Sequence, residues 1–67
     1  MARGALQEVE QAITHCRRSI ERVRAEIDRR RQVGHDYAHA EERLRTIKQI
    51  LRAHEADRDR LADEPEP

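Results

Sequence analysis

RRRQVGHDYAHAEERL, residues 29–44, holds the only glycine after residue 4, with three arginines before it and two histidines after it. Each residue type here has a position it favours at a helix boundary. Gly34 suits the left-handed residue that closes a helix, because it has no Cβ to clash. Asp36 suits the N-cap of a following helix, where its carboxylate accepts hydrogen bonds from backbone N–H groups that lack a partner. Arg29, Arg30 and Arg31 fall in the last turn before the glycine, where positive charge meets the negative end of the helix dipole. The stretch reads as stop, turn, restart.

On both sides of the turn the apolar residues recur at alternating spacings of three and four. Leu6, Val9, Ile13, Cys16, Ile20, Val23 and Ile27 form one such seam; Tyr37, Ala40, Leu44, Ile47, Leu51, His54, Arg58 and Leu61 form the second, polar at its far end. This is the a/d pattern of coiled-coil-like helices, and a strand would alternate with period two instead. The spacing predicts helix 1 over about 5–32, a turn at 33–36 and helix 2 over about 37–61, a single helical hairpin spanning 1–61. The acidic segment ADEPEP, residues 62–67, carries two prolines and is expected to be a disordered tail.

So short a connection forces the helices to run antiparallel, and an a residue must then face a d residue. Folding the chain about the turn pairs Ile27 with Ala40, Val23 with Leu44, Ile20 with Ile47 and Cys16 with Leu51. Ile13 then meets His54, Val9 meets Arg58 and Leu6 meets Leu61. No layer slips. The same register sets Glu26 against Arg43 and Arg24 against Glu41. It also sets Arg17 against Lys48 and Glu10 against Glu55, two pairs of like charge.

Composition limits what such a hairpin can be. Charged residues make up 42% and aromatics 1%, a balance typical of disorder were the apolar residues not so regularly placed. Residues 2–31 carry eight Arg and five acids, and residues 32–67 carry five Arg, one Lys and nine acids, so two halves of +3 and −3 cancel. A neutral chain has no bulk attraction for nucleic acid or anionic lipid. Its single Cys cannot form an intramolecular disulfide, and no window approaches the ~18 apolar residues of a membrane span. With no apolar leader at the start, a cytoplasmic setting without membrane contact is the expectation.

One hairpin buries one stripe. Ala5, Ala12 and Ser19 lie beside the seam at g on helix 1, and Ile50 at g on helix 2. Small residues admit a close neighbour, and Ile50 needs cover. The expectation is an all-α homodimer in which two hairpins form a four-helix bundle, with another helical protein as the alternative occupant. Its core and dimer residues would be Leu6, Val9, Ile13, Cys16, Ile20, Val23, Ile27, Leu44, Ile47, Ile50, Leu51, His54 and Leu61.

Candidate chemistry is thin. His35 and His39, four apart, could form two arms of a divalent-metal clamp, but no third ligand is evident. Cys16 and His54 share the core as a small apolar filler and a polar residue that fixes register. Arg17, Arg18, Arg22 and Arg24 could contact phosphates, although acids interleave with them and helix 1 has no aromatic residue to stack on a base. Tyr37 is expected to pack on the stem of Arg30 at the turn. No phosphate loop, carboxylate pair or nucleophile triad can be drawn, so neither an enzyme nor a cofactor is expected.

The run GHDYAHAEERLRTIKQILRAHEADRDRL, residues 34–61, resembles short uncharacterised bacterial helical-hairpin proteins that carry a Gly-His-Asp turn. Gly34, His35, Asp36, Ala40, Leu44, Leu51, His54, Arg58 and Leu61 sit at matching places. Tyr37 stands where those proteins more usually have Thr, and Val23 where they often have Gln, which makes this seam more apolar. The resemblance covers about 13–61 and rests mainly on hairpin-forming positions. It implies a bacterial helical hairpin and no particular activity. A looser likeness, of fold alone, is to ROP, a plasmid RNA-binding dimer of helical hairpins, and it motivates a nucleic-acid-associated alternative.

Overall fold

A computed structural model describes residues 2–63, with side-chain burial from Gly4 onward. Two helices, α1 (Ala2–Val33) and α2 (Ala38–Asp63), pack against each other along their length. The hairpin measures 56 × 14 × 12 Å. It begins three residues earlier than the apolar spacing predicts, since that spacing marks only where the seam starts. At the other end Ala62 and Asp63, assigned above to the disordered tail, are helical. The remainder of that tail, residues 64–67, lies outside the described residues.

The turn closes through backbone geometry. Gly34 has a φ of +76°. The His35 N–H donates to the Arg30 carbonyl at 2.8 Å and the Gly34 N–H to the Arg31 carbonyl at 3.3 Å. Together these are the two bonds of a Schellman cap. A Cβ at Gly34 would meet nothing within 4 Å, so its backbone conformation and not lack of space selects glycine there. On the far side the Ala38 N–H donates to Asp36 Oδ1 at 3.0 Å. Asp36 is the N-cap of α2, and the Glu41 N–H donates to the Tyr37 carbonyl at 3.0 Å. Arg30 Nη1 straps the turn by donating to the Asp36 carbonyl at 3.2 Å. Its guanidinium is therefore engaged by backbone and, at 3.9 Å, by Glu26, and Arg30 borders the same groove as Tyr37.

Burial is concentrated on α1. Ile13, Cys16, Ile20 and Val23 are buried, joined from α2 by Ala40 alone. The four on α1 are the members of the expected core and dimer set that the hairpin seals by itself. Leu6, Val9, Ile27, Leu44, Ile47, Leu51, His54 and Leu61 are half-buried, and Ile50 is exposed. The reason is geometric: a two-helix unit has no third element over either flank, so only the middle of its seam is sealed.

Candidate functional site

At the turn, His35 and His39 are both exposed. They border an open groove with Arg30, Tyr37 and Arg43. His35 lies in the turn itself while His39 is in the first turn of α2, so their i, i+4 spacing does not bring them onto one helical face. Among the described residues no group of three or more His, Cys, Asp or Glu is placed to hold a metal ion. In the seam, Cys16 is a buried free thiol and His54 is only half-buried. Solvent therefore reaches the residue expected to be the polar member of the core.

The four candidate arginines divide between two faces. Arg17 lies beside the seam at e and pairs with Glu55 at 3.5 Å. Arg17 thus reaches one turn past Lys48, its opposite in the register, to the carboxylate set against Glu10. Arg24 shares that flank. Arg18 and Arg22 lie away from that flank, Arg18 on the outer surface of α1 and Arg22 at the border between that surface and the g flank, where its Nη2 donates to Ser19 Oγ at 3.1 Å. There they belong to a row of exposed residues, Gln11, His15, Arg18, Arg22, Ala25, Arg29 and Gln32, that contains no acid. His15 is a member of this row that counting arginines does not reveal. Sorting the chain by outer heptad positions c and f, and not by arginine density, finds it.

The remaining surface divides by polarity. The e flank carries Arg17, Arg24, Glu41, Lys48 and Glu55. The g flank carries Ala5, Ala12, Ser19 and Ile50, with the bare edge of Ile47 beside them. Its charges, Glu26 and Arg43, neutralise each other at 3.5 Å, as the antiparallel register requires. The only two exposed large hydrophobic residues among those described, Val33 and Ile50, both occupy g.

Comparison with protein-family models, with curated proteins and with solved structures yields no match. No helix among the described residues is long and apolar enough to cross a membrane.

Proposed function

We propose that the chain is a non-enzymatic interaction module that acts through self-association, two hairpins joining into a four-helix bundle. The observation that carries this reading is Ile50, 45% exposed at mid-helix, on the flank that also holds the small residues Ala5, Ala12 and Ser19 and the exposed Val33. Water is a poor partner for that surface, whereas a second helix pair buries it. Sedimentation at micromolar concentration tests the reading. The native chain is expected to run as a dimer, and Ile50→Glu to dissociate it with loss of helical circular dichroism. A stably folded native monomer would overturn it.

A second reading rests on the acid-free row of α1. Arg18, Arg22 and Arg29 follow one another on one exposed stripe, a geometry suited to phosphates along a nucleic-acid backbone. Heparin retention or an RNA mobility shift with steep salt dependence supports it, provided Arg18→Ala with Arg22→Ala abolishes the effect. Binding that Arg17→Ala with Arg24→Ala removes equally would place it elsewhere on the protein. Zinc calorimetry addresses the third use, a metal-responsive turn, through stoichiometric binding that is lost in His39→Ala.

A further inference from the structure

We infer that the second copy seats on the g flank with its turn at the opposite end of the bundle, about a dyad through the Ser19–Ile50 layer. The inference rests on the self-association reading and adds the face and the orientation.

Size favours a copy of the chain as occupant. A face of 56 × 14 Å is roughly 800 Å², the area one partner contributes to a standard interface. Spacing then selects the orientation. Val33 lies fourteen residues after Ser19, and Ala5 fourteen before it. A dyad at Ser19 therefore lays the exposed Val33 of each copy over the small Ala5 of the other, and brings the two Ile50 side chains together at the centre. On α2, Arg43 and Asp57 are each seven residues from Ile50, so each Arg43 faces the other copy's Asp57.

Charge agrees. The turn half of this flank carries Arg22, Arg29 and Arg43 against Glu26 and Asp36, a net +1, and the open half carries Glu8 and Asp57 against Arg60, a net −1. Opposed turns bring unlike halves together. Turns at the same end would oppose two positive halves and set each Val33 against Asp36.

Cross-linking tests the arrangement. Within one hairpin residues 5 and 33 are about 42 Å apart at 1.5 Å per residue, so a disulfide between them can form only between copies. In Ala5→Cys with Val33→Cys, oxidation followed by peptide mapping is expected to give 5–33 links as the dominant product. If 5–5 or 33–33 links dominate, or no link forms while sedimentation still reports a dimer, the orientation is wrong. A monomer in sedimentation overturns the self-association reading itself.

An independent check uses spin labels at His35→Cys in a Cys16→Ala background. Opposed turns place the labels about 45 Å apart, whereas turns at one end bring them within about 20 Å. The choice of flank is tested by charge: Ile50→Glu is expected to abolish the dimer and Lys48→Glu, on the e flank, to leave it intact. The reverse result would assign the interface to the e flank.

Discussion

The two helices carry nearly the same seam pattern, yet four seam residues of α1 are sealed and on α2 only Ala40 is. Ile13 and Val23 on α1 are 3% exposed, while Leu44, Ile47 and Leu51 on α2 are half-buried and Ile50 projects into water. Periodicity tells which stripe faces the partner helix. It does not tell how much of each side chain the partner can cover, because coverage depends on what stands over the flanks. The difference teaches that the hairpin seals the middle of α1 by itself and leaves most of the apolar residues of α2 partly in water.

The largest way to break the comparison is a charge in the sealed part. Ile20→Asp buries an unpaired carboxylate, a loss of about 3–5 kcal/mol, enough to unfold so small a unit. Circular dichroism of this variant is expected to lack the helical signal at 25 °C, and a folded variant would mean that the centre of the seam is open to water.

A matched pair of truncations sharpens the contrast. Ile13→Ala should cost about 2–5 kcal/mol, the usual range for a buried Ile. Ile47→Ala should cost distinctly less in an isolated hairpin, and a similar amount if a second copy covers its bare edge. Urea titrations at low and high protein concentration separate these cases, because dimerisation makes stability concentration-dependent.

The turn belongs to neither helix face, so changes there should leave the contrast intact. Gly34→Ala forces a Cβ into a left-handed conformation and is expected to lose about 1–2 kcal/mol. Gly34→Asn should lose less, since Asn tolerates that region better. Asp36→Ala removes the bond to the Ala38 N–H and should lose about 1 kcal/mol; thermal melts read both.

The smallest effect is expected at Glu26. Its pairs with Arg30 and Arg43 involve exposed arginines, and Glu26→Gln should change stability by less than about 1 kcal/mol. A larger loss, disappearing at high salt, would show that this carboxylate does more than tune the register.

Much of the hairpin was legible in the chain. Gly34 and Asp36 announce the turn because their local chemistry acts over only a few residues. The a/d spacing announces the facing stripes because helical period is a backbone property. The Glu26–Arg43 pair followed from the register alone. The arginines were less legible: density suggested one basic face, but Arg17 and Arg24 lie beside the seam while Arg18 and Arg22 look outward. Arg17 finds Glu55 and not its direct opposite because a long, flexible side chain can reach a full turn along the partner helix.

The sequence by itself determined two helices, the turn between them and the layers in which they meet, since each of these rests on short-range conformational preference or on helical periodicity. Only the tertiary structure decided which apolar residues are sealed and which are left bare, because burial is a property of the neighbours standing around a side chain. That is why Ile13 and Ile47, both isoleucines on the seam, end in different surroundings, one buried and one half-buried.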